Sequence, residues 1–116
     1  MTTRQLCIDY LDALNRGSLE DVRSLFTEDA KVVSPLYGEG PAFTFYRDLF
    51  ADTSRSETTL LNVFEATDGG ASVALHFQYL WTLSDGKKVS FACVDVFTLS
   101  QTRDRFEKLT IIYDTA

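Results

Sequence analysis

The chain has 116 residues, 45% of them hydrophobic and 24% charged, a balance that suits one folded domain spanning 1–116 and excludes a disordered chain. Its net charge is −6, from 17 acidic and 11 basic residues with no Lys or Arg cluster, which excludes a nucleic-acid surface. No apolar run approaches membrane-spanning length and Met1-Thr2-Thr3-Arg4 carries no signal-peptide core, so a cytoplasmic protein without a membrane partner is expected.

Residues 4–16 read as a helix. Leu6, Cys7, Tyr10, Leu11, Ala13 and Leu14 share one face, and Arg4, Gln5, Asp9, Asp12 and Arg16 fall on the other. Tyr10 sits near the middle of the apolar face, so its hydroxyl points inward and needs a partner there. Asn15-Arg16-Gly17 is a helix stop. Ser18-Leu19-Glu20-Asp21 resembles a capping box for a second helix, with Leu19, Val22, Leu25 and Phe26 as its buried stripe. Polar Thr27-Glu28-Asp29 ends it. Ala30–Ser34 reads as a short strand stopped by Pro35, and Tyr37–Gly40 as a turn region. Pro41 suits the first turn of a third helix over about 41–52, carrying Phe43, Phe45, Tyr46, Leu49 and Phe50. Asp52–Ser56 reads as a polar loop.

Strands fill the rest. Thr58–Thr67 leads into Asp68-Gly69-Gly70, a hairpin signal, and then Ser72–Leu83. Ser84–Lys87 turns into Lys88–Ser100, and Gln101–Asp104 turns into Arg105–Tyr113. Ser90–Leu99 is β-branched and aromatic, with a single carboxylate, Asp95, in its middle. Burying an isolated charge is costly, so Asp95 must be paired, hydrogen-bonded or protonated. Three helices followed by a meander of long strands predict an α+β domain, with the helices closing the concave side of a strongly curved sheet.

Cys7 and Cys93 have no metal-ligand spacing to each other or to the single His76, so two reduced buried thiols are expected, and no metal or cofactor. Nine Phe, five Tyr and one Trp can line a core or a cavity within one.

Tyr10-Leu-Asp-Ala-Leu-Asn-Arg-Gly-Ser-Leu-Glu-Asp-Val-Arg-Ser-Leu-Phe-Thr-Glu-Asp-Ala resembles the opening of a cone-shaped α+β family. That family includes nuclear transport factor 2, the SnoaL-like polyketide cyclases and the Δ5-3-ketosteroid isomerases. The resemblance covers nearly the whole chain and is specific for fold, not for function. In motif it is closest to the ketosteroid isomerases. Tyr10 matches their oxyanion-hole tyrosine in a Tyr-x-x-Ala-Leu-Asn-x-Gly frame. Asp95 matches their neutral, proton-donating aspartic acid in an apolar-Asp-x-Phe frame. Where they carry a general-base aspartate before a Pro, this chain has Ser34 before Pro35.

The resemblance therefore implies an isomerase-like or cyclase-like enzyme acting on a hydrophobic, ring-bearing carbonyl compound, with Tyr10 and Asp95 as an oxyanion hole. Candidates for the missing base are His76, Glu39, Asp48 and Asp52. Ser34, Tyr46, Trp81, Phe91, Phe97 and Tyr113 are candidates to line the pocket. The alternative is a non-catalytic module that binds a small apolar ligand or serves as a dimeric association module. Dimerisation through the outer face of the sheet is also implied. A limonene-epoxide-hydrolase arrangement is disfavoured, because no strand places an Arg between two carboxylates.

Overall fold

A computed structural model describes residues 2–113. Helix α1 (Thr3–Arg16) forms with the face the sequence predicts: Leu6, Cys7, Tyr10, Leu11, Ala13 and Leu14 are buried. The Thr2 side chain accepts the Gln5 N–H at 3.0 Å, and Gly17, at φ 63°, ends the helix in a left-handed conformation that costs glycine little. The neighbouring Asn15 has a second task. Its Oδ1 accepts both the N–H and the hydroxyl of Thr58 at 3.0 Å, which ties the end of α1 to the sheet.

Helix α2 (Leu19–Ser24) is shorter than its periodicity suggests. The Ser18 cap is present, accepting the Asp21 N–H at 3.1 Å, but only Val22 is buried within the helix and Leu19 is 37% exposed. Leu25 ends the helix and Phe26 already opens strand β1 (Phe26–Ser34), so Thr27-Glu28-Asp29 belongs to a strand and not to a helix end. Phe26 pairs with Phe106 and the ladder resumes at Lys31 opposite Lys108, so residues 27–30 bridge an irregularity within the strand, while Ala30, Val32 and Ser34 alternate inward. After a tight turn the chain forms strand β2 (Gly38–Pro41), where the sequence suggested only a turn region. Pro41 is tolerated at this sheet edge and precedes helix α3 (Ala42–Ala51), which buries Ala42, Phe45, Tyr46 and Leu49.

Strand β3 (Thr53–Glu65) starts at once, so most of the expected loop over 52–56 is strand. Ser56 lies opposite Trp81, and that pairing fixes it. Strands β4 (Ser72–Leu83), β5 (Lys88–Leu99) and β6 (Phe106–Tyr113) follow close to their predicted bounds. The sheet order is β2-β1-β6-β5-β4-β3. β3 to β6 form an antiparallel meander, whereas β1 joins β6 in parallel. Register shifts in β3 between Thr53 and Arg55 and between Leu60 and Asn62 add the bends that curve a sheet. Among the described residues no helix is long and apolar enough to cross a membrane.

The concave face holds the core. At its closed end Tyr10, Phe26, Tyr46, Phe97 and Phe106 pack ring against ring, with Phe97 and Phe106 stacked at 3.8 Å between centroids. The outer face carries Phe64 opposite Ala74, Ala74 opposite Val96, and Val94 between His76 and Ile112. Phe64 and Ile112 are each 55% exposed there.

Phe97 has no exposed surface, so Phe97→Ala empties a fully packed site. The expected cost is about 3–5 kcal/mol in urea unfolding at unchanged m-value. A loss below about 1 kcal/mol would contradict this packing.

Candidate functional site

Alternation along β5 sends Phe91, Cys93, Asp95, Phe97 and Leu99 inward and the residues between them outward. The helical spacing of α1 brings Tyr10 and Leu14 over the same face. Between them lies a cavity of about 40 Å3. Its walls include Leu14, Phe45, Leu49, Phe77, Tyr79, Trp81, Phe91, Ile111 and Tyr113. Tyr10, Ser34, Cys93 and Asp95 supply its polar groups together with the tyrosines. Among the described residues Asp95 is the one acidic side chain lining it, and no basic side chain does.

Asp95 is 1% exposed and lies between Leu75 and Ile111 in the sheet. No ion pair of the described residues involves it; those pairs lie at the surface. Burial pushes its carboxyl up from 3.8 to about 7, against the opposing pull of hydrogen bonding from Cys93 and from Tyr10. The Cys93 thiol donates to Asp95 Oδ1 at 3.1 Å from two residues away on the same face. The Tyr10 hydroxyl has its closest partner in the Tyr46 hydroxyl, at 2.7 Å. Burial holds both phenols well above their ordinary range, so both stay protonated donors. It likewise lifts both thiols, Cys7 to about 12, which keeps them neutral.

The candidates named from sequence separate cleanly. Tyr10 and Asp95 meet at the cavity, and Ser34, Trp81, Phe91 and Tyr113 line it. Tyr46 stands behind Tyr10 as its hydrogen-bond partner and is not a wall. Phe97 belongs to the closed-end cluster instead of the cavity, because its neighbours in register are Val73 and Leu109 and its ring stacks on Phe106. His76 sits on the outer face, opposite Val94, with Asn62 at 3.2 Å from its Nδ1, and cannot serve the cavity. Ser34 Oγ accepts the N–H groups of Leu36 at 3.1 Å and Tyr37 at 3.4 Å, so it shapes the turn between β1 and β2 and is not a base. Glu39 is exposed on β2, and Asp48 pairs with Arg47 at 3.2 Å.

Two features escaped the sequence. One is Cys93 as a donor to Asp95, for which the i, i+2 spacing on a strand was the available signal. The other is the bond from the Tyr37 hydroxyl to Asp52 Oδ2, 2.6 Å, at the mouth of the cavity. A volume of about 40 Å3 gives room for roughly three waters, and a bound ring needs more. Among the described residues no group of three or more His, Cys, Asp or Glu side chains converges.

A family model described as SnoaL-like domain matches residues 8–105. A search of the curated proteins finds no match. Solved structures with the same fold include an NTF2-like protein from Burkholderia pseudomallei (16% identity, TM-score 0.81, 99% of this chain and 93% of that one). Another is SalBIII, an epoxide hydrolase/cyclase-like enzyme of pyran ring formation in the polyether salinomycin (22% identity, TM-score 0.78, 97% and 90%). A third, from Catenulispora acidiphila, has a ketosteroid isomerase-like fold and was solved with trimethylamine (13% identity, TM-score 0.81, 97% and 88%). At these identities the likeness concerns the fold.

The raised carboxyl has a consequence for stability. The folded chain keeps the Asp95 proton up to about pH 7, whereas the unfolded chain releases it near 3.8. Stability relative to Asp95→Asn is therefore highest below pH 3.8 and falls as pH rises towards about 7, by about 4 kcal/mol in all. Urea unfolding of both proteins between pH 3.5 and 8 measures this difference. Parallel pH profiles would contradict it.

Proposed function

The chain belongs to the SnoaL-like domain family, and we propose that it binds a hydrophobic, ring-bearing carbonyl compound at the Tyr10–Asp95 cavity as a ketosteroid isomerase-like or polyketide cyclase-like enzyme. The observation that carries this reading is Asp95: a carboxyl buried without a cation inside a wall of rings, balanced near neutral pH. In its neutral form it donates a hydrogen bond to the ligand oxygen. Tyr10 adds a second donor, and Tyr46 restrains the Tyr10 hydroxyl. Negative charge developing on that oxygen then meets two aligned donors in a site with little water. Ser34 and His76 are placed for other roles. Proton removal is left to Asp52 at the mouth or to a group of the ligand itself.

A second reading, a non-catalytic binding module that assembles as a homodimer, draws on the apolar outer face around Phe64, Val94, Val96 and Ile112. A second copy of the chain is the occupant the family resemblance implies. The cytoplasm is its proposed setting, where two buried thiols stay reduced.

The planar phenol 2-naphthol tests the oxyanion hole by absorbance. Wild type is expected to bind it with a red-shifted, phenolate-like spectrum. Tyr10→Phe abolishes that shift, and Asp95→Asn weakens binding about ten-fold or more. Binding that neither variant alters would sink the enzyme reading. Sedimentation of wild type at micromolar concentration decides the assembly: a dimer is expected, and a monomer contradicts it.

A further inference from the structure

Two hollows meet at the turn between β1 and β2. The inner one is the cavity at Asp95, about 40 Å3. The outer one is a surface cleft of about 390 Å3, with Asp52, Leu83, Ser84 and Asp85 on its far walls. Leu36, Tyr37 and Trp81 line both. Trp81 is fixed on β4, its Nε1 donating to Thr53 Oγ1 at 2.8 Å. Leu36 and Tyr37 instead belong to the turn and border both spaces.

That turn is lightly held. Inside, Ser34 Oγ receives its N–H groups, and Gly38 leaves it at φ 77°. It leads into β2, an edge strand of four residues that, among the described residues, pairs with β1 alone. Leu36 is 55% exposed. Tyr37 makes the tie to the rest of the molecule: its ring meets Phe45 edge-on at 5.5 Å between centroids, and its hydroxyl donates to Asp52 Oδ2 at 2.6 Å.

We propose that the two hollows are halves of one ligand site, and that residues 35–37 are a gate between them, latched by Tyr37 on Asp52. The ligand class follows from the walls. A ring compound places its oxygen at Asp95 and lays its remaining body across Trp81 and Leu83. Among the described residues Asp52 and Asp85 are the charged side chains lining the outer half, so a neutral body is accepted there and a carboxylate is repelled. This proposal rests on the reading of the inner cavity as a ligand site, but its gate is testable without any ligand.

Cys93 lines the inner cavity, whereas Cys7 is fully buried away from it, so the two thiols report different motions. Wild type, Tyr37→Phe and Asp52→Ala are treated with methyl methanethiosulfonate, a small neutral thiol reagent, and the rates at each cysteine are read by peptide mass spectrometry. Loss of the latch is expected to speed Cys93 about five-fold or more in both variants, with Cys7 unchanged. Equal Cys93 rates in all three proteins, no reaction included, overturn the gate. A parallel rise at Cys7 also overturns it, because it signals general loosening. For the outer half, 6-hydroxy-2-naphthoate is compared with 2-naphthol and is expected to bind at least about ten-fold more weakly. Equal affinities remove the outer cleft from the site. Failure of 2-naphthol to bind wild type defeats the reading under Proposed function, while the Cys93 rates still decide the gate.

Discussion

A carboxyl group buried among rings must be neutralised or hydrogen-bonded, and among the described residues no cation meets Asp95. Its closest hydrogen-bond donor is a thiol, Cys93. Tyr10 adds its hydroxyl. Neither is strong enough to hold a full charge against burial, so the carboxyl settles near neutrality instead of in the usual carboxylate range. The same residue is thus a burden to folding above that pH and a proton donor below it. Local rules broken at a cost to stability are the ones expected at functional positions.

The remainder of the fold serves that arrangement. Tyr10 reaches Asp95 because α1 lies over the open side of the sheet with its apolar face inward, and Asn15 secures that pose against β3. Tyr46 comes from α3 and meets Tyr10 inside the ring cluster at the closed end. That cluster is rigid packing, with Phe97 and Phe106 stacked at its base. The opposite end is more exposed. There the walls are finished by an exposed turn and by Tyr113 against Phe91, ring centroids 4.6 Å apart. The proposed gate at that turn would admit a ligand without displacing the donors.

Much of this is legible in the sequence, for particular reasons. Helical periodicity aims Tyr10 inward and strand alternation does the same for Asp95, while their reading as one site comes from the family resemblance. The α+β architecture follows from element order. Other features depend on pairings far apart in the chain. β1 begins at Phe26 because of its parallel partner in β6, and the polar residues 27–29 conceal that strand. Phe91 and Phe97 share a face, so alternation alone cannot tell the cavity end from the packed end. His76 alternates with the buried Leu75, Phe77, Tyr79 and Trp81 and shares its face with Ala74 and Gln78, and its register opposite Val94 places it on the outer side. The Tyr37–Asp52 bond joins a turn to the end of a helix, and no local pattern announces it.

The state of the Asp95 carboxyl is the point on which both the folding cost and the proposed chemistry turn. Carbon-13 NMR of Asp95, assigned by comparison with Asp95→Asn, follows that group directly through a pH titration of the folded protein. The carboxyl is expected to titrate at about 7. Titration at the ordinary aspartate value, near 3.8, would show a carboxylate already ionised at neutral pH. That result would remove the proton donor on which the oxyanion hole depends.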